Sequence, residues 1–186
     1  MDDATAVARV RSGDRESFRA LVESHSNHIF KLAFRMTNNE QDAEEIVQET
    51  FLRAYRRIGD FESRSNFGTW LHRICVNCAL DVLGKRQRHG EQSLTPDDDE
   101  QEPQVRSEAP GPERMLLSGE VGERIEQAME ALSPSERIAF VLRHCEGQSL
   151  REIAKALQVQ EASVKQYVFR AVQKMRSQLQ PLRQHS

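Results

Sequence analysis

Three observations predict an all-α fold in two helical domains. Apolar residues recur at helical spacing through most of the chain. Aromatic content is only 6% while helix formers dominate. One proline-rich acidic stretch, nearly devoid of apolar residues, interrupts the pattern and divides the chain. At 186 residues there is enough chain for two small domains with real cores. A hydrophobic content of 38% and a charged content of 30% describe a soluble globular protein. No apolar run is long enough to span a bilayer, and the acidic start Met1-Asp2-Asp3 is unlike a signal peptide. A cytoplasmic location is expected.

The elements follow in order. Val7 and Val10 mark a short opening helix that stops at Gly13-Asp14. Phe18, Leu21, Val22, His25, Ile29, Leu32 and Ala33 form a long apolar stripe, broken by Thr37-Asn38-Asn39. Asp42 then sits in a first helical turn, where a carboxylate suits the dipole. Ala43, Ile46, Val47, Thr50, Phe51, Ala54, Tyr55 and Ile58 give that helix its stripe, and Gly59 ends it. A loop from Asp60 to Ser65 leads to a helix starting near Asn66 or Phe67, with Phe67, Trp70, Leu71, Ile74, Cys75, Cys78 and Val82 inward. Residues 89–117 carry Pro96, Pro103, Pro110, Pro112 and the run Asp97–Glu100. Such a stretch cannot bury enough surface to offset its ordering entropy, so a flexible linker is expected. Beyond it, Val121, Ile125, Met129 and Leu132 mark one helix. Ser133-Pro134 opens another, lined by Ile138, Val141, Leu142 and Cys145 and ended by Gly147. The expected domains are 1–88 and 118–186, joined by 89–117.

Charge is uneven. Residues 1–90 hold 14 Lys+Arg and 13 Asp+Glu, residues 91–117 hold 2 and 8, and residues 118–186 hold 10 and 8. The net charge of −3 therefore hides two mildly basic ends behind one acidic segment. Nucleic-acid binding depends on local patches, so the total excludes nothing.

The segment Ser149–Met175 bears most directly on function. Leu150, Ile153, Ala154 and Leu157 mark one short helix. Val164, Val168, Val172 and Met175 mark the next, after a short turn. The second helix turns Lys165, Gln166, Phe169 and Arg170 outward, with Lys174 and Arg176 beyond. Cations suit phosphates, and Gln and Arg suit base edges in a major groove. A DNA-binding helix-turn-helix is the reading; a helical hairpin with a solvated charged face is the plainer one.

Three other groups invite functional readings. In the helix after Phe67, Arg73, Asn77 and Asp81 fall away from the apolar stripe, and the segment ends Lys85-Arg86-Gln87-Arg88. Phe61 and Trp70 could stack on bases, although Trp70 fits core packing better. The outer face of Glu45–Ile58 carries Glu45, Gln48, Glu49, Leu52, Arg53 and Arg56, which suits either a docking surface or a solvated face. His72, Cys75 and Cys78 have helical spacing that zinc would accept, but both thiols lie on the apolar stripe, where free cysteine packs as a small core residue. The odd count of three cysteines does not form a disulfide framework. No phosphate-binding loop, nucleophile elbow, paired-histidine metal motif or dinucleotide fingerprint is present. Neither catalysis, a cofactor nor a bound metal is expected.

The order of these parts resembles the extracytoplasmic-function (ECF) sigma factors, promoter-recognition subunits of bacterial RNA polymerase in the sigma-70 family. The resemblance covers nearly the whole chain. It rests on DAEEIVQETFLRAYRRI from Asp42, F-x-T-W-L-x-R-I-x-V-N from Phe67 to Asn77, L-S-x-x-x-R from Leu132 to Arg137, and V-K-x-x-x-x-R-A from Val164 to Ala171. It implies that core RNA polymerase (its beta and beta-prime subunits), promoter DNA and an anti-sigma factor are partners, with no membrane insertion. Glu45, Gln48, Glu49, Leu52, Arg53 and Arg56 would dock on the clamp coiled coil of the largest subunit. Phe61, Ser63, Arg64, Ser65, Asn66, Arg73, Asn77, Lys85, Arg86 and Arg88 would serve the minus-ten element, where a flipped base enters a pocket that includes Asn77. Ser163, Lys165, Gln166, Phe169, Arg170 and Lys174 would serve the minus-35 element. The linker would thread toward the polymerase active centre. The chain departs from the family pattern at Gln158, where a turn former is common, at Glu62, where a basic residue is frequent, and at Cys75 and Cys78. If Gln158 takes positive φ, the cost is about 1 kcal/mol. Two readings from other classes stand beside this one: an operator-binding dimeric regulator, and a thiol or zinc sensor built on Cys75 and Cys78.

Overall fold

A computed structural model of the chain describes residues 2–61, 66–92 and 119–179. Among them the regular elements are all helical. They are α1 (Asp3–Arg11), α2 (Arg15–Thr37), α3 (Glu40–Arg57) followed by a 3₁₀ turn (Ile58–Asp60), α4 (Phe67–Gln92), α5 (Gly119–Glu130), α6 (Pro134–His144), α7 (Leu150–Leu157) and α8 (Glu161–Leu179). Ser63, Arg64, Ser65 and nearly all of the acidic linker lie outside the described residues. The chain divides into two units, Met1–Lys85 and Arg86–Ser186.

In the first unit, short polar residues start each early helix. The Asp2 carboxylate accepts the Thr5 N–H at 2.8 Å, and Asp14 accepts the N–H groups of Glu16 and Ser17. Asn38 ends α2 in the left-handed region (φ 53°), and Asn39 at once caps α3 by accepting the Asp42 N–H at 2.9 Å. Two asparagines thus turn the chain between α2 and α3 without glycine: Asn38 tolerates the left-handed backbone, and the extended Asn39 supplies the cap.

Leu21, Ile29, Leu32, Ala33 and Met36 from α2 are buried, as are Ala43, Ile46, Phe51 and Ala54 from α3. Leu71, Cys75, Val76, Cys78 and Ala79 of α4 are buried too. Three details differ from the spacing argument. Tyr55 is 39% exposed, its ring edge-on to Phe18 at 4.9 Å. Val76 and Leu83 are buried while Val82 is only half-buried, so the inward face of α4 is wider than one stripe. The helix also runs through His89-Gly90 to Gln92 instead of stopping at Arg88. A single helical glycine costs only about 1 kcal/mol, and the basic residues before it suit a helix C-terminus.

In the second unit, α6 and α7 each begin with a reciprocal capping box. The Glu136 N–H donates to Ser133 Oγ while the Ser133 N–H donates to Glu136 Oε2, and Ser149 and Glu152 repeat the exchange. Gln158 ends α7 at φ 56°, so the expected left-handed turn is present without glycine. The Val159 N–H closes it on the Ala154 carbonyl at 3.0 Å. Ile138, Val141, Leu142, Ile153, Leu157 and Val164 form much of the core, with Ala128, Leu132, Ala171 and Met175 packed together beside Ile125, Met129 and Phe140. On α8 the inward positions are Val164, Ala171 and Met175, while Val168 and Val172 are only half-buried.

Candidate nucleic-acid interface

Helix α8 is carried by α7 through the Leu157-Gln158-Val159 turn. Arg143 donates to the Gln148 carbonyl at 2.9 Å, tying down the loop that precedes α7. With Val164, Ala171 and Met175 turned inward, Lys165, Gln166, Phe169 and Arg170 are all exposed. Phe169 is 61% exposed, an unusual position for a phenylalanine unless something covers it. Gln173, three residues past Arg170 and seven past Gln166, is exposed on the same face. The same periodicity that selected the other four residues also selects Gln173. Ser163 is half-buried near the start of the helix.

Lys174 has a partner within its own unit. Its ammonium donates to Glu136 Oε2 at 2.7 Å, and the Glu136 side chain is only 6% exposed. Burial works to raise the pKa of Glu136. The Lys174 ammonium and the Ser133 N–H outweigh that effect and hold it below the ordinary glutamate value of 4.5. Lys174 therefore fastens α8 to the start of α6 while its side chain stays half exposed.

In the first unit, Phe61 is enclosed. It is 4% exposed, its ring 5.2 Å from Trp70 and 5.8 Å from Phe67. In this state the ring packs against its aromatic neighbours and not against solvent. Trp70 is half-buried in the same trio, which agrees with core packing. Asn66 is exposed and acts as a cap, its Oδ1 accepting the Gly68 N–H at 2.8 Å. Along α4, Arg73, Lys85, Arg86 and Arg88 are exposed and Asn77 is half-buried, its amide donating to the Arg73 carbonyl at 3.0 Å. The polar face expected of this helix is thus present.

On α3, Glu45, Gln48 and Arg56 are exposed and Leu52 is 44% exposed, next to Tyr55. Together they make an apolar spot among polar and charged side chains. Arg53 is half-buried and also ties two helices together. Its Nε donates to Glu49 at 2.6 Å and a terminal nitrogen donates to Asp81 of α4 at 2.9 Å. Spacing placed Asp81 on the polar face of α4 without revealing that it clasps α3.

Cys75 and Cys78 are buried, and burial pushes both thiols up, away from the reactive thiolate. Among the described residues, no cluster of histidine, cysteine and carboxylate side chains is placed to hold a metal ion, and no helix is long and apolar enough to cross a membrane. This geometry offers nothing to the sensor reading.

Residues 21–89 match Sigma-70 region 2, and residues 122–175 match Sigma-70, region 4. The chain is 34% identical over 183 residues to the RNA polymerase sigma-H factor of Pseudomonas aeruginosa, covering 97% of this chain and 95% of that protein. It is 30% identical over 184 residues to the ECF RNA polymerase sigma factor SigW of Bacillus subtilis, covering 95% and 96%. In fold it is similar to the sigma factor RpoE of Bartonella quintana, solved in complex with the anti-sigma factor NepR. The TM-score is 0.61 at 21% identity, over 89% of this chain and 98% of that one.

Proposed function

Because the chain belongs to the extracytoplasmic-function sigma factors of the sigma-70 family, we propose that it binds core RNA polymerase through the exposed face of α3 and directs initiation by reading two promoter elements. The outward face of α8 reads the minus-35 duplex. Lys165 meets phosphate, while Gln166, Phe169 and Arg170 reach base edges and thymine methyl groups. The loop after Phe61 and the polar face of α4, with Arg73 and Asn77, read the minus-ten element, and Lys85, Arg86 and Arg88 draw in the backbone. Leu52 is the apolar anchor on the polymerase, with Glu45, Gln48 and Arg56 around it. The chain acts as a regulatory protein, and polymerase does the chemistry. An anti-sigma factor holds it inactive; a protein of the same fold from Bartonella quintana was solved in complex with an anti-sigma factor.

The observation that carries this reading is the α8 face. Four outward positions, Lys165, Gln166, Phe169 and Arg170, are exposed and chemically suited to a major groove, on a helix packed against the rest of its unit. Run-off transcription with purified core polymerase on genomic fragments tests it. The expected result is initiation at a defined set of start sites that share minus-10 and minus-35 sequences. A protein that binds an operator but neither co-purifies with core polymerase nor supports run-off products would be a different kind of regulator.

A further inference from the structure

Helix α1 is fastened at both ends to the segments that flank the loop after Phe61. At its C-terminal end, Arg11 reaches across to the close of α3. Its Nε donates to the Ile58 carbonyl at 3.0 Å, and a terminal nitrogen donates to the Gly59 carbonyl at 2.9 Å and also to the Phe61 carbonyl. Carbonyls at a helix end lack intrahelical partners, and a planar guanidinium can serve several at once. At its N-terminal end, Asp3 Oδ2 lies 3.0 Å from His25 Nε2. The His25 ring stands 5.4 Å from the Phe67 ring at the start of α4. Its Cε1 would be 3.6 Å from a Cβ on Gly68, and Asn66 Oδ1 would be 3.2 Å from the same atom. One nine-residue helix, about 12 Å between its end Cα atoms, therefore holds the residue before the loop directly and the residues after it through His25.

We infer that α1 is a brace for minus-ten recognition and that Arg11 is a positioning residue in it. Arg11 touches no base. It holds the chain at Ile58–Phe61, and Asp3 with His25 steadies the start of α4, so that the polar face of α4 meets DNA in register. This inference rests on the reading that the loop and α4 serve the minus-ten element.

The test uses the full chain reconstituted with core polymerase, as wild type and with R11K, R11Q and N77A. Two quantities are measured: affinity for core polymerase, and open-complex formation on promoters in which each minus-ten base is replaced in turn. For R11Q, preference for the favoured base falls about fivefold or more, the size of one lost specific contact, while core affinity stays within about twofold. R11K lies between, because an ammonium cannot span three carbonyls in a fixed fork. If R11Q weakens core binding and opening equally on every template, Arg11 only holds the fold together, and the brace is overturned. Unchanged base preference in R11Q, with loss of preference in N77A, overturns it as well. Unchanged preference in N77A overturns the minus-ten reading beneath it.

Discussion

Lys165 and Lys174 carry the same charge on one helix, and their surroundings give them different work. Lys165 is exposed, whereas Lys174 neutralises the nearly buried Glu136. Lys165→Ala is expected to weaken minus-35 duplex binding across all sequences and to reduce the salt slope by about 1. Arg170→Ala should cost about 1–3 kcal/mol and relax preference at one base pair. Fluorescence titrations at several salt concentrations, with base-substituted duplexes, separate the two. Lys174→Met should instead lower stability at neutral pH by about 2 kcal/mol. That is less than a fully buried pair would lose, because Lys174 stays half exposed. The pH dependence has a definite sign. Glu136 is held below 4.5 in the folded state, so the unfolded chain takes up its proton more readily. The stabilisation is present above that value and is lost as pH falls through the lower folded pKa. The gap in urea midpoint between wild type and variant should therefore narrow between neutral pH and about pH 3.5. The exposed face of α8 was legible in the sequence because it repeats every helical turn. The Lys174–Glu136 pair was not, since its partners lie 38 positions apart, and neither were the carbonyls that Arg11 holds 47 to 50 positions away. Local spacing carries no information about which distant group a charged side chain meets. For the same reason, a DNA-facing and a buried Phe61 looked alike.

At the scale of elements, the helix-turn-helix depends on how its first helix starts and stops. Helix α7 has only eight residues, too short to persist without packing and good ends. Ser149→Ala removes the hydroxyl that accepts the Glu152 N–H and should cost about 1 kcal/mol. Gln158→Gly relieves a left-handed side-chain residue. It should gain up to about 1 kcal/mol, less the extra freedom it gives the unfolded chain. Chemical denaturation of the full chain, followed through the second unit, checks both, and opposite signs are expected. The starts and stops of helices were mostly readable, because Asn38-Asn39 and Ser133-Pro134 have direct effects on local backbone. The end of α4 was not, because Gly90 weakens a helix without ending it.

Across the whole molecule, the proposed function assigns polymerase and DNA to separate faces, so damage to one should spare the other. Leu52→Glu places a charge at the apolar centre of the proposed docking face. It should cost about 2 kcal/mol or more of affinity for core polymerase while leaving minus-35 duplex binding by the full chain unchanged. Arg53 is unsuitable for that experiment, since losing it also opens the clasp from Glu49 to Asp81. Finally, the distribution of the thiols has a practical use. Cys145 is exposed, whereas Cys75 and Cys78 are enclosed in the first unit. The native chain is thus a reporter that needs no engineering. A maleimide dye should attach rapidly to one cysteine, and the other two should react only when the first unit opens. Mass spectrometry against time would then read how often that unit breathes, and whether polymerase makes it breathe less.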